Sequence, residues 1–419
     1  MQMHLWMKHK LFFCHLVVSI KTIAKEAKYE MKWNNKGHEC DEIARIICSE
    51  ANKTVYYIWG AGTFGISFYE FFCNKINIEG FIDSQIRKQG TMVCGLPVHS
   101  PDVLKNKPGI VLVSTGRTKD VFEKLREIGY KKNVDCFHVD DFSSLYMFYK
   151  EGKVHLCDLQ YIVTQYCTLH CEKCASLIPY IKQPKHASLN QIMRDLDAVF
   201  QWVDSVNVLG LVGGDAMLNP QFEEILKEIA EKYYPERVAC IEVYTNAVVV
   251  PSPSCLELMK KYNVFYRFTD YRPYTGKRQK IEQVIGLLDR EGIRYDHVQF
   301  EKWLDCGYPQ KNNGILGEDN LKTFFDSCDR RSCHSLYDQK VMYCGMGLVA
   351  EWAGYCNRSS SDYFDISQYD ECRRAEFLEF MLGYSEKGYL SYCAKCNGGF
   401  NVNTRYIPAG KQIKQDCRE

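Results

Sequence analysis

Between residues 159 and 300 the chain alternates short apolar runs with amphipathic helical patterns, and this alternation limits the fold most strongly. The runs at 159–164, 205–212, 238–244, 264–269 and 295–300 have strand lengths and are rich in β-branched and aromatic residues. Between them, helical spacing recurs at 222–233, 255–262 and 281–290. Another helix carries Ile192, Leu196, Val199 and Phe200 on one face behind a capping Ser188. Strands separated by whole helices pair in parallel, because an antiparallel neighbour needs only a tight turn. The expected product is a parallel sheet curled toward a barrel, whose loops at the strand ends are free to carry chemistry.

The loop leaving the first of these strands holds Cys167, Cys171 and Cys174, a C-x3-C-x2-C pattern. Three thiolates suit a four-iron, four-sulfur cluster in which one iron keeps an open position. The competing reading is a structural zinc knuckle with His170 or Cys157 as fourth ligand. The chain holds 21 cysteines, an odd number at irregular spacing. In a chain of this length that pattern fits metal-bound thiols in a reducing cytoplasm better than a disulfide scaffold. With a net charge of +1, no electrostatic footprint for nucleic acid or an anionic membrane is present.

Upstream, residues 54–59 read as a strand, followed by Gly60, Gly62 and Gly65 in a G-x-G-x-x-G pattern and an apolar helix at 66–72. Such glycines permit a tight turn and a close approach of backbone to phosphate at the helix amino end. A second strand at 78–82 ends in Asp83, about twenty residues beyond the glycines, where a ribose-binding carboxylate belongs. Further strand-like runs at 110–114 and 134–139 enclose a helix at 119–128, and a helix at 142–149 stops at Gly152. Residues 40–142 therefore read as a Rossmann-like nucleotide-binding unit. NAD, a nucleotide-sugar, or a docking role with no ligand are the readings left open for it. Residues 1–39 are expected to form a helical extension. Their apolar run at 11–20 is too short to span a bilayer and lacks a small-residue cleavage site, and Met31 is a second candidate start.

Taken together, residues 157–304 resemble the core of the radical S-adenosylmethionine (radical SAM) superfamily, a partial (β/α)6 barrel. The resemblance implies Cys167, Cys171 and Cys174 as ligands of a 4Fe-4S cluster, with S-adenosylmethionine (SAM) filling the open iron. It implies cleavage of the sulfonium C–S bond and abstraction of hydrogen from a substrate by the resulting 5′-deoxyadenosyl radical. Gly213, Gly214 and Asp215 stand where the family carries Gly-Gly-Glu against the methionine amino group, here with a carboxylate one methylene shorter. Thr245 and Asn246 stand where the family has a strand ending in Thr-Asn-Gly, with Ala247 in place of the glycine. Thr269 lies where a polar residue reaches the SAM carboxylate, and Lys173 replaces the apolar residue common before the third cysteine. Arg267, Asp270, Tyr271 and Arg272 are candidates for substrate contact, because charged groups at a barrel mouth need a reason.

In the tail, Cys333 and Cys344 flank a hairpin pattern and Cys393-x-x-Cys396 follows. This arrangement over 305–419 resembles the auxiliary-cluster region (twitch, or the larger SPASM form) appended to many radical SAM enzymes. It implies Cys333, Cys344, Cys393 and Cys396 as ligands of an auxiliary 4Fe-4S cluster. Cys328 competes with Cys333, and zinc at the same thiols is the alternative. Cys306, Cys356, Cys372 and Cys417 leave room for a second cluster. The expected protein is a cytoplasmic radical SAM enzyme of the oxidoreductase type, acting on a small molecule such as a nucleotide-linked sugar. Oxidation, epimerisation or dehydration at a sugar carbon would fit. The resemblance also implies an electron donor such as flavodoxin or ferredoxin. The rival readings are a peptide-modifying maturase and a zinc-stabilised nucleotide-binding scaffold without catalysis.

Overall fold

A computed structural model describes residues 31–50, 54–116, 118–308, 317–329 and 333–413. The apolar run at 11–20 and Cys417 fall outside them. Two largely parallel sheets, each accompanied by helices, make this a mixed α/β fold. Among the described residues no helix is long and apolar enough to cross a membrane.

The first sheet comprises β1 (Tyr56–Trp59), β2 (Ile78–Ile82), β3 (Met92–Val93), β4 (Leu96–His99), β5 (Ile110–Val113) and β6 (Cys136–His138). Its order is β3-β4-β2-β1-β5-β6, parallel throughout except for β3. All four residues of β1 and of β5 are buried, as expected of strands with both faces covered. The order reverses beside β1, so the glycine loop that follows it sits at the switch point of the sheet. The β3–β4 hairpin was not anticipated. Its turn places Cys94 and Gly95 at φ 51° and 78°, a mirror-type turn more often signalled by Asn-Gly.

The second sheet takes up β7 (His155–Thr164), β8 (Ser205–Gly213), β9 (Val238–Thr245), β10 (Phe265–Asp270) and β11 (Tyr295–Gln299) in chain order. All five are parallel, in the register Gln160–Gly210–Glu242–Phe265. The helices Leu189–Trp202, Phe222–Tyr233, Pro253–Lys261 and Ile281–Glu291 connect them. Ser188 caps the first of these by accepting from the Gln191 N–H, as its sequence position implied. Tyr161 donates to Asp195 on that helix at 2.8 Å, so the odd-numbered residues of β7 face the helices and the even-numbered ones face away.

After β11, β12 (Lys302–Leu304) leaves this sheet and pairs antiparallel with β16 (Tyr406–Pro408) from the tail. The other edge of β7 takes the tail hairpin, β13 (Ser335–Tyr337) and β14 (Lys340–Met342), followed by β15 (Tyr363–Asp365). The tail from 305 onward is thus sewn into the second sheet. Residues 31–39, expected to be helical, are irregular. Their backbone and Trp33 supply the donors that the buried Glu379 carboxylate requires. Trp33 Nε1, Gly37 N and Glu39 N reach it at 2.8, 2.7 and 2.7 Å. A helix would commit those N–H groups to its own carbonyls.

One continuous core joins both sheets. Phe68, Phe72, Phe142 and Tyr146 pack ring against ring with centroids 4.6–6.2 Å apart. Helix Val139–Glu151, which ends at Gly152 in the left-handed conformation, bridges from the first sheet into β7.

Candidate active site

The triplet loop leaves the carboxyl end of β7, and the turn after β8 lies directly against it. Gly214 N donates to Thr164 O at 3.1 Å, and Asp215 N to Tyr166 O at 2.9 Å. A Cβ on Gly213 would stand 2.3 Å from Thr164 O, and one on Gly214 would stand 2.2 Å from Tyr166 O and 2.8 Å from Cys167 Cβ. These glycines therefore bring strand end against cysteine loop, backbone to backbone.

Asp215 is fully buried and turned inward. Its oxygens accept from Met217 N (3.2 Å), Thr245 Oγ1 (2.9 Å) and Asn246 N (3.2 Å). Burial pushes its carboxyl above the usual range, against those three hydrogen bonds. With its acceptors filled from β9 and its own turn, Asp215 acts here as a brace between strand ends rather than as an open ligand. Asn246 carries the brace onward. Its Nδ2 lies 3.4 Å from Cys167 Sγ and 3.2 Å from Thr168 Oγ1. Thr269 is half-buried at the end of β10, and its carbonyl accepts from Gln279 Nε2 at 2.7 Å.

Each thiol of the triplet is met by N–H groups. Leu169 N and Asn246 Nδ2 approach Cys167 Sγ, both at 3.4 Å. Gln412 Nε2 approaches Cys171 Sγ at 3.2 Å. Backbone N–H groups of Ile178, Ser176 and Leu177 act on Cys174. Burial nevertheless pushes the Cys167 thiol up to about 12 and Cys171 up to about 11. Buried thiols ringed by donors favour thiolate once a cationic centre compensates the desolvation. Among the described residues no three cysteine, histidine or carboxylate side chains converge on a single ion, the triplet included. This donor set fits an iron–sulfur cluster, whose thiolates are spread around a cube rather than gathered at a point.

Sequence reasoning missed what covers this loop. Residues 410–413 from the tail run antiparallel along it, with Glu172 N donating to Lys411 O at 2.7 Å and Ile413 N to His170 O at 2.8 Å. Lys411 pairs with Glu172 at 2.8 Å. Lys173, the unexpected residue before the third cysteine, reaches Asp305 at 3.7 Å, and Tyr308 donates to Ala175 O at 2.9 Å. Polar pairing to the tail, in place of apolar packing, is what Lys173 supplies.

The named charged residues divide into two groups. Arg272 grips Asp270 with distances of 2.7–3.0 Å and also bonds Glu282, while His297 reaches Asp270 at 3.4 Å, so these groups are spent on one another. Arg267 instead lies on the face of the sheet opposite the helices, bound to Glu242 at 2.8 Å and Asp296 at 3.2 Å. Tyr244 donates to the same Glu242.

The tail cysteines gather around a second place. Cys306, Cys328, Cys344, Cys393 and Cys396 line a cavity of about 40 Å³ with Phe324, Phe325 and Met346. Cys333 does not line it, but stands opposite Cys344 at the base of the β13–β14 hairpin. Burial and the neighbouring thiols push Cys344 well above the ordinary thiol range.

In the first sheet, the glycines divide likewise. Gly60, at φ 128°, abuts Ser114 O, and Gly65 abuts Gly60 O, while Gly62 faces open space at the helix amino end. Asp83 is buried, accepting from Ala61 N (3.2 Å), Gln85 N (2.9 Å) and Lys88 Nζ (3.0 Å). The residue expected to hold a ribose fastens the glycine loop; against the upward push of burial, the Gln85 N–H, Lys88 and the Ala61 N–H hold its carboxyl below the usual range.

Comparison with known proteins places this site in a context. Residues 161–270, from β7 through β10, match the Radical SAM superfamily. Among solved structures, the chain is similar to BtrN in complex with AdoMet and 2-DOIA, at 14% identity and a TM-score of 0.37. That likeness covers 57% of this chain and 92% of that one. Similarity to anSMEcpe with bound AdoMet is 14% identity over 41% of this chain, with a TM-score of 0.29. HydG, a maturase of the [FeFe]-hydrogenase, is 15% identical over 45% of this chain, with a TM-score of 0.28. The chain spans about half the length of those last two, 48% and 47%. No curated protein matches it.

Proposed function

We propose, from the match of residues 161–270 to the Radical SAM superfamily, an enzyme that binds a 4Fe-4S cluster on Cys167, Cys171 and Cys174 and uses it with SAM. The observation that carries this reading is the loop itself: one buried and two half-buried cysteines, each thiol faced by N–H donors, at the end of the strand that opens the matched region. When bound, cluster and SAM supply one-electron cleavage of a C–S bond and removal of hydrogen from substrate. The chain's own residues hold the place for this. The brace of Asp215, Thr245 and Asn246 sets the strand ends, and the tail segment 410–413 shields the cysteine loop from water.

We further propose an auxiliary cluster in the tail cavity, held by Cys333, Cys344, Cys393 and Cys396. Cys344, Cys393 and Cys396 around that apolar space support it, with Cys333 standing opposite Cys344 at the hairpin base. A fully ligated cluster would relay electrons, which favours substrate oxidation. The second sheet's face carrying Arg267, Glu242, Tyr244 and Asp296 offers charged hydrogen-bonding groups to a small polar substrate such as a nucleotide-linked sugar. The glycine loop at the switch point of the first sheet supports a nucleotide there.

Iron and sulfide counts on anaerobically reconstituted protein test this reading. It expects about eight irons per chain, and about four after either Cys167→Ala/Cys171→Ala/Cys174→Ala or Cys344→Ala/Cys393→Ala/Cys396→Ala. Stoichiometric zinc in place of iron would end it.

A further inference from the structure

Among the described residues, Gln412 is the one tail side chain that hydrogen-bonds a thiol of the triplet, and its three polar contacts fix how its amide is oriented. His170 N donates to Gln412 Oε1 at 2.8 Å, while Gln412 Nε2 donates to Gly410 O at 2.6 Å and to Cys171 Sγ at 3.2 Å. Turning the amide over would set oxygen against the Gly410 carbonyl and two N–H groups against the His170 N–H. Only one orientation satisfies all of its partners, and it aims an N–H at Cys171.

The placement is held from both sides. The antiparallel pairs Glu172 N–Lys411 O and Ile413 N–His170 O flank the glutamine. Before it, Gly410 adopts φ 76° and presses on Tyr271, where an added Cβ would meet the side chain at 2.7 Å. The strand-like strap thus cannot slide without breaking backbone bonds, and its half-buried glutamine stays over the second cysteine.

Given the cluster proposed above, on which this inference rests, we propose that Gln412 is a positioning residue that sets the cluster's electron affinity. An N–H directed at a ligand sulfur places partial positive charge beside it. That stabilises the reduced cluster, which is the more negative form, and so raises the reduction potential. The role belongs to a residue some 240 positions from the cysteine it touches, and it makes the tail part of the electron-accepting site.

The Gln412→Glu variant separates this role from simple support, since its carboxylate keeps an acceptor for His170 N but turns negative charge, not a donor, toward Cys171. The midpoint potential of the triplet cluster is read by EPR-monitored redox titration of reconstituted full-length protein. The Cys344→Ala/Cys393→Ala/Cys396→Ala background is used so that one cluster reports. The expected result is a midpoint clearly more negative than with Gln412, at unchanged iron content. Gln412→Leu, which removes donor and acceptor together without adding charge, should also shift the midpoint negative, by less. Midpoints unchanged in both variants would overturn the proposal while leaving the cluster in place. Absence of any triplet cluster signal in the parent protein would instead overturn the reading on which it rests.

Discussion

Thr245 and Asp215 meet across the ends of two adjacent parallel strands, with the threonine hydroxyl donating to the carboxylate at 2.9 Å. The same carboxylate takes the Asn246 N–H, and Asn246 in turn reaches Cys167. The order of these contacts turns three separate strand-end turns into one rigid floor beneath the cysteine loop.

Asp215→Ala removes the acceptor for three buried donors and leaves each unsatisfied. At about 1–3 kcal/mol for such a group, partly relieved by water entering the gap, a loss of about 2–4 kcal/mol is expected. Denaturant midpoints read it. Asp215→Asn keeps the volume but offers one acceptor oxygen, and should fall between the two. An alanine variant as stable as the parent protein would show that the brace contributes nothing.

Gly214→Ala should disturb the triplet more than any change at the glycine loop of the first sheet. Its Cβ would meet Tyr166 O at 2.2 Å, a backbone atom that cannot swing away, whereas Gly62 faces open space. Iron content after reconstitution is expected to drop sharply for Gly214→Ala and to remain at the parental value for Gly62→Ala. Equal iron in both variants would contradict the close-approach argument.

His155 supplies a pH dependence whose direction is fixed. It is buried, stacked on Phe71 at 4.4 Å and bonded to Ser205 at 2.9 Å, and burial lowers its pKa from 6.5 to about 4. The unfolded chain binds this proton first, so the folded state loses stability as pH falls from 6.5 toward 4. At 1.36 kcal/mol per pKa unit the full effect is roughly 3 kcal/mol. Comparing unfolding free energies at pH 7 and pH 4.5 for the parent and His155→Gln should show a smaller drop in the variant. Parallel pH profiles would rule His155 out as the source.

Phe142→Ala opens a hole where the two sheets share one core. A loss of about 3–5 kcal/mol is expected. Because Phe142 contacts rings from the first sheet on a helix that continues into β7, the loss should appear in a single cooperative transition. Two separated transitions, only one of them shifted, would mean that the units unfold independently.

The elements that positioned the cysteines were readable because they rest on long apolar patterns. The expected strand at 205–212 is β8, the expected helix at 222–233 has those bounds, and the hairpin between Cys333 and Cys344 is β13–β14. Roles were harder to read than places. Asp83 and Asp215 stand where a ligand-binding carboxylate was expected, yet each has its oxygens filled by nearby N–H groups, a fact of side-chain orientation that spacing cannot carry. The strap at 410–413 left no periodic signal, being a few residues held by backbone pairs and one amide. The one available hint was the glycine before it, and a single glycine marks a turn without saying what it lies against. The docking of 31–39 on Glu379 likewise depends on a buried charge in a distant helix.

The most direct measurement is 5′-deoxyadenosine formation by anaerobically reconstituted protein given SAM and dithionite, comparing the parent chain with Cys167→Ala/Cys171→Ala/Cys174→Ala. Product from the parent alone is the predicted result, and it would leave the substrate as the open question, to be sought first among nucleotide-linked sugars. No product from a parent chain that holds iron at the triplet would contradict the proposed chemistry.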